Sequence, residues 1–281
     1  MLVLLPTALG GSHPAGDQCP RHPSGPLGLL EQCRAPYKPN APSASPDWSP
    51  WTHEPVCVGP KTGKGPAFCA FVKEDFRGAG AGLLVVTSPE IAAAGQSVAV
   101  EDVDPRRTGN GRQAARSDAP PFEVKETPGK GLGAVANATI RAGDVVLREY
   151  PMLLQLAEEL SEPVGRMQAL WVLEEGFVRL PLGDQRRVFD LSRSTGGHVL
   201  EDIIRTNTFG ATFNGVGHFG LFPRVARINH ACKPNAITRF SPRTLELEVV
   251  AYKDIQPGEE LSISCQNPPP SLSRETPPNP G

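Results

Sequence analysis

Arg227-Ile-Asn-His-Ala-Cys-Lys-Pro-Asn235 restricts this chain more than any other stretch. Two polar side chains, Asn229 and His230, directly follow the apolar Val225 and Ile228, and the run then turns at Lys233-Pro-Asn235. An Asn amide offers both a donor and an acceptor, and a His ring offers either, so the pair suits the fixing of a heteroaromatic ligand beside an apolar wall. It suits equally a turn in which both side chains satisfy neighbouring backbone groups. Further on, Ile255-Gln-Pro-Gly-Glu-Glu-Leu-Ser-Ile-Ser264 reads as a turn followed by a strand, and taken alone its Glu259 and Glu260 are solvated carboxylates.

Upstream, the character of the chain changes at Phe122. Phe122-Glu-Val-Lys-Glu126 alternates, and Gly129-Lys-Gly-Leu-Gly133 turns tightly. Glycines there let the backbone approach a ligand closely. No long helix follows directly, so this is not a dinucleotide fingerprint. Gly133–Ala136 and Asp144–Glu149 read as strands joined across Arg141-Ala-Gly143. From 152 to 206 the period suits helices, through Leu153, Leu154, Leu156, Leu160, Met167, Leu170, Trp171, Leu173 and Leu191, with a short helix ending near Asn207. Leu245–Tyr252 opens with the clean alternation of a strand with one exposed face.

Residues 16–117 read as a Pro/Gly-rich, loop-rich N-terminal region, with short β-type runs at Pro66–Val72 and Gly82–Thr87 and a charged linker from 101. The chain carries 31 prolines and 29 glycines, an excess that predicts long irregular stretches around a smaller core. Cys57 and Cys69 flank a Gly/Lys-rich turn, so the spacing predicts either a disulfide-stapled hairpin or a pair of unrelated thiols. No CxxC pair occurs, and no metal site is predicted. Residues 1–15 resemble the apolar part of a signal peptide without its basic flank, or else form a mildly apolar terminus. Asn137-Ala-Thr139 is a glycosylation sequon, which matters only in a secreted chain. The formal net charge is −2. From 118 to 265, 16 basic residues face 19 acidic ones, which gives no footprint for nucleic acid or anionic lipid. No apolar run is long enough to span a bilayer. Residues 266–281 hold six prolines and are expected to be a disordered tail.

Taken together, the segments resemble a SET domain, the family of S-adenosylmethionine-dependent protein lysine methyltransferases. The Arg227–Asn235 run resembles its RxNHxCxPN core, and Glu259-Glu-Leu-Ser-Ile263 resembles its GEEL strand. Gly129–Ala134, Ile140–Asp144 and Glu149 resemble its opening hairpin. The stretch 152–206, ending in Asn207-Thr-Phe209, resembles the insertion of the SET-and-MYND branch without a MYND finger. The arrangement is also similar to SET proteins of filamentous fungi. The resemblance implies an α+β, mainly β fold over 118–265, a β-clip with a pseudoknot and a helical insertion. It implies S-adenosylmethionine as cofactor, with Lys130, Gly131 and Leu132 along its methionine part, Asn229 and His230 holding it, and Asn207 contributing from the end of the insertion. It further implies a lysine-containing protein substrate, histone among the candidates, with no direct nucleic-acid or membrane partner, for a monomer.

Two departures bear on activity. The family places a tyrosine straight after the Glu-Glu-Leu-Ser-Ile-Ser strand, and this chain has Cys265 there. A thiol is shorter and a poorer hydrogen-bond donor than a phenol. The family also usually continues into a cysteine-rich segment, whereas Cys265 is the only cysteine after Cys232, so Cys232 is expected to be a buried structural thiol. The tail is expected to reflect either a natural truncation or a chain end misassigned at a splice junction. Three functions compete: a protein lysine N-methyltransferase, a catalytically degenerate SET module that binds cofactor or protein, and a secreted disulfide-stapled protein with an appended SET fold. The enzyme class implies nucleus or cytoplasm; a signal peptide implies secretion.

Overall fold

In the computed structural model, residues 48–61, 63–76, 81–95, 120–157 and 164–264 are described. The apolar segment 1–15, Cys19, Cys33, most of the linker after 101, Cys265 and the Pro-rich tail lie outside them.

The N-terminal apolar runs form strands β1 (Val56–Val58), β2 (Phe68–Lys73) and β3 (Leu83–Thr87), followed by helix α1 (Pro89–Ala94). Strands β1 and β2 pair antiparallel with Cys57 opposite Cys69, and a disulfide joins the two. β3 is buried at all five positions, the pattern of a strand packed on both faces. It does not stand in a separate unit. A six-stranded sheet runs β1-β2-β3-β7-β9-β8, where β7 is Leu153–Leu156, β8 Thr208–Phe213 and β9 Val216–Leu221. β3 and β7 pair in parallel, Leu84 with Leu153 and Val85 with Leu154.

That pairing corrects one expectation. Leu153, Leu154 and Leu156 were expected in a helix and lie instead in a strand flanked by β3 and β9. An apolar run buried on both faces has no period of its own, so its pattern cannot separate strand from helix. The helices begin later, as α2 (Arg166–Phe177), α3 (Leu182–Phe189) and α4 (Val199–Asn207). They cover one face of the sheet, where Leu84, Val86, Leu153, Leu173, Phe177, Leu200 and Ile203 share a core. Trp51, Phe71, Leu83, Val85, Leu154 and Phe213 form the core on the other face. Met167 and Trp171 do not join them: they stand exposed on α2. Cys232, expected to be buried, is a free and exposed thiol just after the end of the Asn229–Ala231 strand.

The other elements form three smaller sheets. β4 (Phe122–Thr127) and β5 (Gly131–Ala136) make an antiparallel hairpin across the glycine turn. β6 (Val145–Glu149) pairs with β12 (Glu246–Ala251), and β12 with β11 (Ala236–Ser241). β5 and β6, although consecutive, therefore belong to different sheets. Ile140 bridges to Ile255 between them, and Gly143 donates its N–H to the Ala251 carbonyl. β10 (Asn229–Ala231) and β13 (Ser262–Ser264) pair in parallel, Asn229 with Ser262 and His230 with Ile263. This is the strand contact that a pseudoknot requires. A third core, with Phe122, Ala134, Phe222, Ile228, Val249, Leu261 and Ile263, lies beneath these sheets and supports the polar face described next. No helix among the described residues is long and apolar enough to cross a membrane.

Candidate cofactor site

The hairpin β4–β5 turns at Thr127–Gly131, where Lys130 N–H returns to the Thr127 carbonyl at 3.1 Å and the Thr127 hydroxyl donates to the Gly131 carbonyl at 2.9 Å. Gly129 and Gly131 have φ of +72° and +74°, which side chains with a Cβ rarely adopt, and open space lies over both. At Gly133 the reason for glycine differs. A Cβ there would stand 2.6 Å from Asn229 Nδ2 and 2.9 Å from Thr127 Cγ2, so the missing side chain lets β10 come up against the hairpin.

Asn229 reaches that gap because a short 3-10 turn, Val225–Arg227, delivers β10 from the buried Phe222 and Val225. The start of the turn is latched by Glu149 at the end of β6. Its carboxylate accepts the N–H of Arg224 at 2.9 and 3.0 Å and that of Val225 at 2.9 Å. Desolvation pushes the Glu149 carboxyl up to about 7, although those N–H groups and the Arg224 and Arg187 charges pull the other way. A carboxyl raised in the folded state favours folding most at acid pH. Between its unfolded value and about 7 the native state holds the extra proton, so stability falls as pH rises through that window. The Glu149→Gln variant is expected to lose this component. Unfolding midpoints taken between about pH 5 and 8 should slope less steeply for the variant than for the parent; equal slopes would remove Glu149 from the account.

The Asn229 amide donates to Glu260 Oε1 at 2.8 Å and lies 3.4 Å from the Thr127 hydroxyl. The other oxygen of Glu260 accepts from Lys130 Nζ at 2.8 Å. Desolvation raises the Glu260 carboxyl, but the hydrogen bonds from Lys130 and Asn229 and the Lys130 charge outweigh it and hold the group below the usual carboxylate range. Glu260 is thus not the solvated carboxylate of an ordinary turn. Glu259 is nearer to that, its carboxylate accepting the Gln256 N–H at 2.7 Å. His230 packs one side towards Phe209, ring centroids 6.4 Å apart, and remains exposed on the other. Burial on the packed side lowers its pKa, which favours the neutral form of the ring.

The structure thus brings Lys130, Asn229 and Glu260 into direct contact, with Gly131 and the exposed Leu132 following Lys130 on β5 and His230 following Asn229 on β10. Asn207 closes α4, and its side-chain amide is spent on the Ser192 and Ile203 carbonyls at 2.8 and 2.7 Å. Its side chain is therefore directed into its own helix end. Sequence reasoning missed two participants. One is Glu260 as the partner of Lys130 and Asn229. The other is Asn235, whose amide accepts the Ser262 N–H at 2.8 Å and donates to the Glu260 carbonyl at 2.9 Å. Their signal was the polar termini of two motifs already read as one turn and one strand.

Residues 131–266 match the SET domain family. The chain carries a SET domain. Its sequence is 28% identical over 142 residues to the histone-lysine N-methyltransferase set5 of Schizosaccharomyces pombe, a stretch covering 50% of this chain and 40% of the relative. It is 49% identical over 45 residues to the protein-lysine N-trimethyltransferase SMYD5 of Mus musculus, covering 16% of this chain and 11% of the relative. The matched stretches thus span less than half the length of either relative. Among solved structures, a ctPRC2 complex in an autoinhibited conformation bound to S-adenosylmethionine is 19% identical, with a TM-score of 0.34, covering 55% of this chain and 16% of that one. The SET domain supplies the hairpin β4–β5 from Gly131 onward, the Asn229–His230 strand and Glu260.

Proposed function

We propose that the SET domain transfers a methyl group from S-adenosylmethionine to the side-chain amine of a lysine in a protein, histone being the first substrate to test. The observation that carries this reading is the convergence of Lys130, Asn229 and Glu260 on an open glycine turn, next to the half-packed ring of His230. An ammonium, a carboxylate and an amide fit a zwitterionic amino-acid head, and an imidazole with one exposed side fits a heteroaromatic base. Lys130, Gly131 and Leu132 would line the methionine part, Asn229 and His230 would hold the cofactor, and Asn207 would contribute only through the backbone at the α4–β8 junction. S-adenosylmethionine supplies an electrophilic methyl group on a sulfonium. What the chain must add is alignment of a neutral lysine amine and exclusion of water.

The relatives named as lysine methyltransferases support the chemistry. Cys265 favours a second reading, a SET module that binds cofactor or protein without efficient transfer. Tyr252 offers no substitute phenol, because its hydroxyl donates to the Pro234 carbonyl. Labelled S-adenosylmethionine incubated with histone and with bulk lysate protein separates the two. Methyl incorporation that falls at least about tenfold in Asn229→Ala supports the enzyme. Cofactor binding without incorporation, together with a gain in Cys265→Tyr, supports the degenerate module. Absence of cofactor binding would remove the enzyme and leave only a protein-binding module.

A further inference from the structure

β1 is a three-residue strand at the edge of the six-stranded sheet, paired with β2 and joined to it by the Cys57–Cys69 disulfide. The two cysteines stand in different surroundings. Cys57 is exposed, whereas Cys69 is fully buried in the core with Trp51, Phe71 and Leu83. A thiolate from solvent therefore reaches the bond from the Cys57 side. What leans on β1 is helix α2. Just before the strand, the Glu54 carbonyl accepts from Arg179 Nη1 at 2.9 Å, two residues past the helix's last turn. Three residues after the strand, the Lys61 side chain lies over Gly165, the residue before the helix, in the space that a Cβ there would fill. Between them Val58 packs on the core that holds Val172, Leu173 and Phe177. β1 and its flanks thus hold α2 at both ends. A strand with three pairings is weakly fixed by its backbone alone, and the cross-link supplies the rest.

We propose that the Cys57–Cys69 bond is a redox-sensitive clasp on α2, opened by a dithiol reductant. One thiolate of the reductant attacks Sγ of Cys57, the bond to Cys69 breaks, and Cys69 leaves and takes up a proton. The second thiolate then attacks the mixed disulfide. Cys57 leaves and is protonated in turn, and the reductant departs as a disulfide. Two electrons and two protons pass from the dithiol to the protein. β1 and its flanks then part from α2, and the helix loses the holds at Gly165 and Arg179. This device is independent of the cofactor reading above, since it joins the N-terminal flank to the helical insertion and touches none of Lys130, Asn229 or Glu260.

The test is amide hydrogen exchange on the full chain, with and without dithiothreitol under native conditions, while alkylation of Cys57 and Cys69 reports the open bond. Dithiothreitol should open the bond and speed exchange across 166–177 roughly tenfold or more, with 236–251 in the separate three-stranded sheet staying within about twofold. Cys57→Ser should exchange at the fast rate without reductant and ignore its addition, which separates this bond from the remaining cysteines. Three results would each overturn the proposal. A bond that stays closed to dithiothreitol in the native protein is no switch. An open bond with 166–177 unchanged is a passive tie. Equal acceleration of 166–177 and 236–251 is general unfolding. Should Cys57→Ser not fold, the reduced and oxidised parent decide the question between them.

Discussion

Asn235→Ala is expected to lower the stability of the folded chain by about 2–5 kcal/mol, among the largest effects of any single polar substitution here. Asn235 is 8% exposed and ties together segments distant in sequence. Its side chain accepts the Ser262 N–H and donates to the Glu260 carbonyl, while its backbone N–H donates to the Ser262 carbonyl at 3.1 Å and its carbonyl accepts the Tyr252 N–H at 3.1 Å. Alanine keeps the two backbone bonds and deletes the two side-chain bonds. It leaves a donor and an acceptor unpaired in a tightly packed place, at about 1–3 kcal/mol each. Because β13 is three residues long, it has few other bonds with which to hold its register beside β10. Denaturant titration measures the loss, and Asn235→Asp, which keeps the acceptor, should fall between parent and alanine. A loss below about 0.5 kcal/mol would mean that solvent replaces both bonds and that the parallel pair stands without Asn235.

The second large effect is steric. Gly133→Ala puts a methyl group 2.6 Å from Asn229 Nδ2, 2.9 Å from Thr127 Cγ2 and 3.1 Å from Glu260 Oε1. None of these groups is the free end of a flexible chain, since Asn229 is fixed by Glu260 and lies against the Thr127 hydroxyl. The hairpin must therefore move off β10 or Asn229 must swing away, at a cost of about 1–3 kcal/mol. Either movement separates Asn229 from the hairpin that carries Lys130, and S-adenosylhomocysteine affinity is expected to fall about a hundredfold. In an Asn229→Ala background the main clash is gone, so the same glycine substitution should cost much less stability, and the two changes should be clearly non-additive. Simple additivity in a four-variant denaturation cycle would show that Gly133 matters for something other than its distance to Asn229.

These two residues also show what can be read from a sequence like this one. The polar pair Asn229–His230, the glycine turn and the Glu-Glu-Leu strand were legible together as a family likeness, because their residue types and order are demanding, and the fold brings Lys130 and Asn229 onto Glu260. The strands around Phe68 and Leu83 were legible as local apolar runs, whereas the spacing of Cys57 and Cys69 left both a disulfide and a pair of unrelated thiols open until strand pairing set them opposite each other. The strand at Leu153–Leu156 was not: burial on both faces erases the period that separates strand from helix. Nor was the pairing of β5 with β4 and of β6 with β12, because partner choice between sheets is decided by long-range packing rather than by the turn at Arg141–Gly143. Glu260 escaped for a related reason. A carboxylate in a turn looks solvated until the fold brings an ammonium from a position 130 residues away to within 2.8 Å of it.

The parallel contact between β3 and β7 has a bearing on where this domain begins. Residues 131–266 carry the family likeness, yet β7 lies inside that span with one of its two neighbours, β3, outside it. A chain cut at the edge of the likeness would keep Leu153 and Leu154 while losing Leu84 and Val85, baring a strand edge and a slice of both cores at once. Kinship in sequence and independence in folding therefore have different borders here, and the SET module is stitched to its N-terminal flank through the backbone of one sheet.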